Sequence, residues 1–399
     1  MINRPDYIAA IEPFIDKPLV KILAGIRRCG KSTIFEMLRE ELLRRGIGED
    51  QIICKRYTEM DIPENITAKQ MYDELTAAMA GKGHCYLLLD EIQEITGWEK
   101  AVNSLLERAD ADIYVTGSNS KLMSSEISTY LTGRYVSIPV YTLSFKEYLD
   151  FKADSTLSRR ELLEEYIRFG GFPIIALNEY DEQSAYQIVN GIYHTVVSRD
   201  IVKRHRINKQ DLFDRVVKYI IENMGKTFSA NSISTFLKSE HRKVSVESIY
   251  NYLHWLEQAF IIYPCERYDL QGKSILKTQE KYYLADVSLK YALLGYNRKM
   301  LDGAMENIVF LELKRRGYDV YIGKNDTKEI DFVATRRDER VYVQVCVQLP
   351  EASDREVGNL MEIRDHYPKY VVTLNEMDTG IEDGIRIVHL EDFLLADAW

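Results

Sequence analysis

Cysteine is scarce in this sequence, and its spacing excludes two common ways of stabilising a small domain. The 399 residues include five cysteines, an odd number, and no two of them form a CxxC pair. This pattern argues against a disulfide framework and against a structural zinc site. It is typical of a chain kept in a reducing environment.

Long hydrophobic runs are also missing. The first residues, MINRPDYIAAIEPF, carry charges and a proline where a signal peptide needs an apolar run. No window is long and uncharged enough to cross a bilayer. We therefore expect a cytoplasmic protein with no membrane partner.

Positive charge is in deficit, since 52 Lys and Arg residues stand against 62 Asp and Glu residues and give a net charge of -10. An acidic chain is not drawn to DNA as a whole, so a contact with nucleic acid would need a local basic patch. Apolar residues are plentiful, at 46% of the chain, which is enough for two or three cores.

Short apolar runs alternate with amphipathic helical patterns through residues 1–150. The predicted strands are LVKILAG, QIICKRYTEM, HCYLLLDE and ADIYVTGSN, and STIFEMLREELLRRG is the first predicted helix between them. Such alternation indicates parallel βαβ units and a sheet covered on both faces. We predict an α/β domain that ends near Leu149, just after the strand-like run Val136–Val140.

The rest of the chain divides into three further segments. Residues 151–200 have a helical pattern and form a lid or connector. Residues 201–286 contain three helix-like segments followed by two strand-like runs, FIIYPCERYD and KYYLAD, joined by the turn residues QGKS. Three helices and a β-hairpin in this order indicate a winged-helix module. Residues 287–399 form a second, separate α/β pattern.

Residues 25–32, GIRRCGKS, satisfy the phosphate-loop pattern GxxxxGK[ST], and they follow a strand and precede a helix as that pattern requires. Glycine lets successive N–H groups point at phosphate oxygens, and the helix adds its positive end. We assign Lys31 to the β- and γ-phosphates and the Ser32 hydroxyl to Mg²⁺. The predicted nucleotide-binding residues are Gly25, Ile26, Arg27, Arg28, Cys29, Gly30, Lys31, Ser32 and Thr33.

A second motif follows the apolar strand Tyr86–Leu89, which ends in Asp90 and Glu91. An apolar strand of the same sheet delivers its terminal carboxylate beside the phosphate loop, where Asp90 can hold Mg²⁺ through water. Glu91 is then placed to act as general base on the attacking water. The predicted ligands are ATP and Mg²⁺.

Two further candidates lie later in the sheet. The strand Ile113–Thr116 ends in Gly117-Ser118-Asn119, so Ser118 or Asn119 is a candidate sensor of the γ-phosphate, although an ordinary Ser/Asn turn explains these residues equally well. Arg134 is a candidate arginine finger, acting in cis or from a neighbouring subunit. Arg27 and Arg28 are unusual inside such a loop and are expected to project towards a partner or another domain.

Basic residues cluster at the start of the middle segment. They are candidates for salt-sensitive contacts with DNA phosphates: Arg199, Lys203, Arg204, Arg206 and Lys209. The third helix, SVESIYNYLHWLEQAF, would be the one that enters the major groove, but its exposed face carries Glu247 and Glu257. A solvated surface, or contacts with acidic residues of the chain itself, remains the alternative.

Taken together, these segments resemble a widespread group of prokaryotic AAA-type ATPases. The resemblance rests on GIRRCGKST, YLLLDEIQ with Trp98, TGSNSKLM, LTGRYVSIPVYTLSFKEYL, RFGGFP, RDIVKR, AMENIVFLELKRRG and EIDFV. It implies ATP binding and hydrolysis, a winged-helix-like middle and a C-terminal domain similar to restriction endonucleases. It implies no particular biological role. Rings are common among AAA-type proteins, and an oligomer and a monomer both stay open here.

The resemblance also identifies where a nuclease site would lie and where this sequence departs from it. Such domains use an acidic residue on the first helix, here Glu306, an aspartate on a strand, here Asp331, and an E-x-K on the next strand. This chain has Gln344 and Cys346 at the last two positions. Mg²⁺ prefers charged oxygen ligands, so we predict a degenerate site that is inactive or only very weakly active. Glu329, two residues before Asp331, is on the same strand face and is a candidate replacement.

Three functions remain open on the sequence alone. The first is ATP hydrolysis that drives conformational change in an assembly bound to DNA or to a protein partner. The second is a slow ATP-dependent switch whose C-terminal domains bind a protein. The third is an ATP-dependent nuclease, which Gln344 and Cys346 disfavour.

Overall fold

The computed structural model describes residues 2–58, 66–108, 110–123, 127, 130–131, 133–207, 209–272, 274–350 and 355–399. The chain divides into two compact units. The first unit comprises Met1–Thr142 together with Gln258–Phe260, and the second comprises Leu143–Glu257 and Ile261–Trp399. Each unit contains one β-sheet.

The first unit is built on a five-stranded sheet in which every neighbouring pair is parallel, in the order β2-β3-β4-β1-β5. Its strands are β1 Val20–Ala24, β2 Ile52–Arg56, β3 Cys85–Asp90, β4 Ala111–Gly117 and β5 Tyr135–Pro139. All residues of β1 and β3 are buried, as expected when helices cover both faces of a parallel sheet. The predicted α/β fold with a parallel sheet is confirmed.

Within the described residues of the first unit, one helix precedes the sheet and three connect its strands, with short 3-10 turns between them. The first is α1 Pro5–Ile11, and the connecting helices are α2 Lys31–Arg44, α3 Ala68–Met79 and α4 Trp98–Arg108. Helix α3 begins at a capping box, because the Thr67 side chain accepts from the Gln70 N–H and Gln70 reaches back to Thr67. The strand predicted over QIICKRYTEM is observed as β2; Glu59 and Met60 lie outside the described residues.

The second unit begins with a helical region. Its helices are α5 Phe145–Phe151, α6 Arg159–Phe169, α7 Pro173–Ala176, α8 Glu182–Val196, α9 Lys203–His205, α10 Gln210–Glu222, α11 Ala230–Ser239 and α12 Val246–Gln258, with a π-helical stretch at Val197–Val202. Serine hydroxyls cap four of these helices: Ser144, Ser158, Ser229 and Ser245 each accept the N–H of the third helical residue. The three helix-like segments predicted within residues 201–286 are observed as α10, α11 and α12.

The second unit also contains an eight-stranded mixed sheet in the order β12-β13-β11-β10-β9-β8-β6-β7. Its strands are β6 Ile262–Asp269, β7 Ser274–Leu284, β8 Asp319–Asn325, β9 Lys328–Arg336, β10 Glu339–Val345, β11 Lys369–Thr373, β12 Gly380–Glu382 and β13 Ile385–His389. The remaining helices are α13 Ser288–Leu294, α14 Leu301–Arg315, α15 Arg355–Met361 and α16 Leu390–Leu395.

The predicted β-hairpin is present as β6 and β7, but it does not stand apart from the C-terminal strands. Strand β6 pairs in parallel with β8, so one sheet runs across the boundary that the sequence suggested at residues 286 and 287. The pairing of β6 with β8 joins segments about 50 residues apart, which local sequence patterns do not reveal. The winged-helix and nuclease-like assignments of these segments stay predictions.

Candidate functional site

The glycine loop connects β1 to α2 at the carboxyl end of the first sheet. Gly30 caps α2 with φ 103° and ψ 17°, and Arg28 also has a positive φ of 68°. A Cβ atom on Gly25 would lie 2.0 Å from the carbonyl oxygen of Val140, so this position requires glycine. The two glycines of the motif therefore serve different purposes. Gly30 allows the left-handed backbone turn, and Gly25 allows the loop to lie against Val140, the residue after β5.

Lys31 lies inside this loop. Its ammonium is buried and donates hydrogen bonds to the carbonyl oxygens of Gly25, at 3.0 Å, and of Ile26, at 3.1 Å. The same nitrogen is 3.8 Å from Oε1 of Glu91. The structure thus brings together the lysine of the first motif and the glutamate of the second, which are 60 positions apart in the sequence.

Arg4 supports the loop from the N-terminal segment, a role that the sequence did not indicate. Its guanidinium is buried and donates to the carbonyl oxygens of Cys29, at 2.8 Å, and of Tyr141, at 3.1 Å. Cys29 itself is fully buried, and burial raises the pKa of its thiol. Cys29 is therefore a protonated filler under the loop and not an exposed reactive thiolate.

Asp90 ends β3 and accepts hydrogen bonds from three other segments. One carboxylate oxygen accepts from the Ser32 hydroxyl at 2.7 Å and from Nε of Arg56 at 3.0 Å. The other accepts from the Thr116 hydroxyl. Ser32 and Asp90 are hard oxygen donors in direct contact, which fits Mg²⁺ bound with a nucleotide, because that ion takes few protein ligands and keeps waters and phosphate oxygens.

Glu91 follows in the left-handed region, with φ 54°, and this conformation turns its side chain relative to Asp90. Its backbone N–H donates to the Thr116 hydroxyl at 3.0 Å. Its carboxylate accepts from Gln93 and, at 3.3 Å, from the Ser118 hydroxyl. Thr116 therefore fixes the backbone of Glu91 while it also binds Asp90, and neither Thr116 nor Gln93 was predicted from the sequence.

Ser118, one of the two candidate sensors, donates a hydrogen bond to Glu91. Asn119 is buried beside it, and its role stays a prediction. Arg27 lies near two acidic side chains that follow β3: one guanidinium nitrogen is 3.7 Å from Glu91 and another is 3.4 Å from Glu94. A contact of Arg27 or Arg28 with a partner or another domain stays a prediction.

Arg134 lies at the amino-terminal ends of the parallel strands, whereas the glycine loop lies at their carboxyl ends. It immediately precedes β5, whose first residue, Tyr135, pairs with Val20 at the start of β1. Because the strands are parallel, five residues of strand, or about 16 Å, separate this end of the strands from the glycine loop. Its guanidinium instead donates to Asn103, at 2.9 Å, and to Glu107, at 2.6 Å. An arginine finger acting in cis is therefore not what the structure shows.

The second unit contains a separate group of partly buried acidic side chains around a buried lysine. Glu306 lies on α14, Glu329 and Asp331 lie on β9, and all three point towards Lys281 on β7. The Lys281 ammonium, 4% exposed, is 2.8 Å from Glu329, 3.5 Å from Glu306 and 3.8 Å from Asp331. We call these four residues the Lys281 cluster. Helix α14 is fixed against β7 by the Asn307 amide, which exchanges two hydrogen bonds with the Leu284 backbone.

Burial and mutual repulsion shift the protonation of the Lys281 cluster. Burial raises the pKa of Glu306, while burial and the neighbouring Glu306 raise the pKa of Asp331 to about 8. Burial alone would lower the pKa of Lys281, but the three carboxylates outweigh it and raise this pKa above its usual value. Lys281 therefore stays charged, and it is the cation that balances the cluster.

Gln344 and Cys346 are placed differently from each other. Gln344 is buried beside Asp331: its side-chain oxygen accepts from the Asp331 N–H at 2.6 Å, and its nitrogen donates to Glu356 at 2.6 Å. Cys346 follows β10 in an apolar cluster with Val357 and Leu360, and burial raises its thiol pKa to about 12. Cys346 is a core residue. Lys281, which the sequence analysis missed, lies in the apolar segment KYYLAD and is marked there only by its charge.

The described residues contain neither a preformed metal-binding cluster nor a membrane-spanning helix. None of their His, Cys, Asp and Glu side chains form a group of three or more that could hold a metal ion. Within the same ranges, no helix is both long and apolar enough to cross a membrane. A Mg²⁺ ion at Ser32 and Asp90 would thus depend on the phosphates of a nucleotide for its other ligands.

Comparison with known proteins agrees with this geometry. Residues 17–149 match the family described as an AAA domain, and residues 160–299 match a domain of unknown function, DUF8612. The Walker-type ATPase PABY2304 of Pyrococcus abyssi has the same fold over 73% of this chain and 96% of its own, with a TM-score of 0.53 at 15% identity.

Two relatives match most of the sequence. An uncharacterized protein of Haemophilus influenzae is 37% identical over 398 residues, which is 99% of each chain. Uncharacterized protein MJ1544 of Methanocaldococcus jannaschii is 33% identical over 85% of this chain and 77% of its own. The chain therefore carries an AAA-type P-loop ATPase domain and belongs to the same family as these Haemophilus and Methanocaldococcus proteins.

Proposed function

We propose that this protein binds ATP with Mg²⁺ and hydrolyses it, and that hydrolysis drives a conformational change in a larger assembly. The observation that carries the proposal is the position of Glu91. Its carboxylate is 3.8 Å from the phosphate-loop lysine, and the adjacent Asp90 is hydrogen-bonded to Ser32. The carboxyl ends of the strands therefore carry four groups close together: Glu91 as general base, Asp90 as metal-binding carboxylate, and Lys31 and Ser32 of the phosphate loop.

Each of these residues has a defined task in this proposal. The N–H groups of the loop and the Lys31 ammonium bind the phosphates, so Lys31 gives up its bonds to the loop carbonyls. The Ser32 hydroxyl and the Asp90 carboxylate would hold Mg²⁺, which neutralises phosphate charge when bound. Glu91 accepts a proton from the attacking water, and Ser118 keeps that carboxylate oriented. The low exposure of Lys31 and Asp90 limits competing water.

The contacts of Glu91 with Arg27 and Gln93 support a slow switch as the second candidate. In the structure these two side chains bind the carboxylate that would activate water. If they keep doing so when ATP is bound, the nucleotide is held for a long time before it is hydrolysed. The protein would then signal by its bound state and not by turnover.

The C-terminal domain is proposed to have no nuclease activity. The support is the Lys281 cluster, because an ammonium lies among the three carboxylates that would otherwise be available to a divalent metal. The Lys281 ammonium is almost fully buried, and removing one partner from a buried ion pair is costly, so Mg²⁺ would not readily displace it. This domain then acts by binding and not by cutting.

Steady-state ATP hydrolysis tests the proposal. Lys31→Ala should lose nucleotide binding, and Glu91→Gln should keep ATP binding but lower kcat by about 100-fold or more. Glu94→Gln is the matched control, because Glu94 also contacts Arg27, and it is Glu91 whose carboxylate lies 3.8 Å from Lys31. Wild-type turnover in Lys31→Ala would contradict the proposal. Single-turnover kinetics with slow release separates the switch from the steady hydrolase.

A further inference from the structure

A basic cavity lies in the middle segment, between the end of α9, the start of α10 and the start of α12. Its volume is about 390 Å³, and Arg206, Lys209 and Lys243 contribute cationic side chains to its lining. No carboxylate occurs among the described residues that line it. This is unexpected by chance in a chain with a net charge of -10. We call it the basic cavity.

The three cations of the basic cavity are exposed and make no ion pair with any described residue. Nearby arginines behave differently: Arg242 is 2.8 Å from Asp211, and Arg215 is paired with Glu240. The module therefore contains acidic partners for its cations, yet the cations around the cavity are left without them. Unneutralised like charges that converge on one hollow repel each other, and an anion in the hollow removes that repulsion.

The other walls of the cavity add hydrogen-bond donors and rigidity. Helix α12 begins at the cavity, where the Ser245 side chain accepts from the Ser248 N–H at 3.0 Å and Asn251 follows one turn later. The positive end of this 13-residue helix adds to the attraction for anions. His205 stacks on Trp255 at 4.3 Å, with 13° between the rings, and so fixes the end of α9 against α12.

We propose that the basic cavity binds a phosphate group, and that the phosphate comes from the backbone of duplex DNA. The inference adds a partner to the proposed ATPase but does not rest on hydrolysis. It also changes how the module would meet DNA. Glu247 is exposed in the first turn of α12 but does not line the cavity, which this end of the helix lines with Ser245, Ser248 and Asn251. A phosphate in the cavity would therefore contact this polar side of the first turns and the three cations.

The proposal selects among the basic residues of this region. Arg206 and Lys209 line the cavity and Lys243 joins them, while Lys203, Arg204 and Lys238 are exposed but do not line it. The test variant is the triple substitution R206Q/K209Q/K243Q. The control variant is K203Q/R204Q/K238Q, which removes the same charge from the same module. Circular dichroism and melting temperature establish that each variant is folded.

Binding of a fluorescent duplex of about 20 base pairs is measured by anisotropy at several salt concentrations, without nucleotide. The cavity variant should bind at least about 10-fold more weakly than wild type, and its slope of log affinity against log salt should be shallower by about 2 to 3. The control variant should lose much less affinity. Because no nucleotide is present, a failed ATPase proposal does not affect this result.

Inorganic phosphate, followed by calorimetry, distinguishes the source of the phosphate. Phosphate binding that the cavity variant alone loses, together with DNA binding that it loses, supports the proposal in full. Phosphate binding without DNA binding supports the cavity but assigns it to a small phosphorylated ligand, which overturns the DNA part. Equal DNA affinities for the cavity and control variants, or no binding of either ligand by wild type at low salt, overturn the proposal.

Discussion

The buried carboxylate of Asp90 and the partly buried carboxylates of the Lys281 cluster are neutralised in different ways. Asp90 is bound by the hydroxyls of Ser32 and Thr116 and by the partly exposed Arg56. Glu306, Glu329 and Asp331 surround the ammonium of Lys281, which is almost fully buried. Hydroxyls can turn and offer their oxygens to a metal, whereas a buried ammonium already supplies the charge that a metal would bring.

The comparison teaches that acidic residues alone do not identify a metal site. A metal site also requires that the group neutralising the carboxylates can be displaced by the metal ion. Lys281 comes from the β-hairpin, so the cation is built into the sheet together with β8 and β9. At the glycine loop the balancing groups belong to three different segments, and a nucleotide brings its own charge and metal.

The largest expected effect is that of Lys281→Met, which removes the cation of the Lys281 cluster. Glu306 and the partly exposed Glu329 would be left without their cation, while Asp331, with a pKa of about 8, is largely protonated at pH 7, so we expect a loss of about 3 kcal/mol in the free energy of unfolding at neutral pH. Urea unfolding at pH 7 measures this loss. In thermal melts, Mn²⁺ should stabilise the variant and leave the melting temperature of the wild type unchanged.

Lys328→Met is the matched control for this experiment. Lys328 lies on β9, and its ion pair with Glu362 is exposed, so its loss should cost about 1 kcal/mol or less. A clear stabilisation of the wild-type protein by Mn²⁺ that Asp331→Ala removes would break the comparison, because it would show that a metal displaces Lys281.

Thr116→Val tests how the hydroxyl groups around Asp90 support the nucleotide site. The valine removes both the hydroxyl that binds Asp90 and the acceptor for the Glu91 N–H. Positioning of both carboxylates is then lost, and we expect kcat for ATP to fall by about 10-fold or more, with a smaller change in KM. Thr116→Ser keeps the hydroxyl and should restore most of the rate. Equal rates for Thr116→Val and the wild type would remove Thr116 from the site.

Asp331→Asn tests whether the Lys281 cluster makes stability depend on pH. The folded-state pKa of Asp331, about 8, lies above its ordinary value of 3.8 because of burial and Glu306. The folded protein therefore binds an extra proton between about pH 4 and 8, so its stability falls as pH rises through this range. Asparagine has no such loss. The melting temperature of the variant relative to wild type should rise from about pH 5 to about pH 8.5.

Glu339→Gln is the control for that pH series. A hydrogen bond from Arg336 lowers the pKa of Glu339, so this carboxylate is ionised throughout the same pH range. Its effect on the melting temperature should not change between the two pH values. A difference between Asp331→Asn and wild type that is the same at both pH values would show that Asp331 is ionised in the folded protein.

The sequence predicted the parts of the site that depend on local geometry. The glycines at 25 and 30 and the carboxylates after β3 follow from a loop, a strand and a helix that are adjacent in the chain. Arg4 was missed because its partners, Cys29 and Tyr141, are 25 and 137 residues away. Lys281 was missed because β6 joins a strand of the C-terminal segment. These contacts depend on strand order, which periodicity does not encode.

Arg134→Gln has the smallest expected effect and tests what the sheet direction implies. Arg134 precedes β5 at the edge opposite the glycine loop and is bound to Asn103 and Glu107. In a dilute monomer, the variant should therefore hydrolyse ATP within about 2-fold of wild type, whereas an arginine finger contributes about 1000-fold or more. Glu107→Gln, which loses the same partly exposed ion pair, is the control for stability.

If the rate of Arg134→Gln falls behind wild type only as protein concentration rises, the arginine acts on a neighbouring subunit. A large loss at every concentration would contradict the position of β5 in the sheet, because no rotation of one side chain spans that strand.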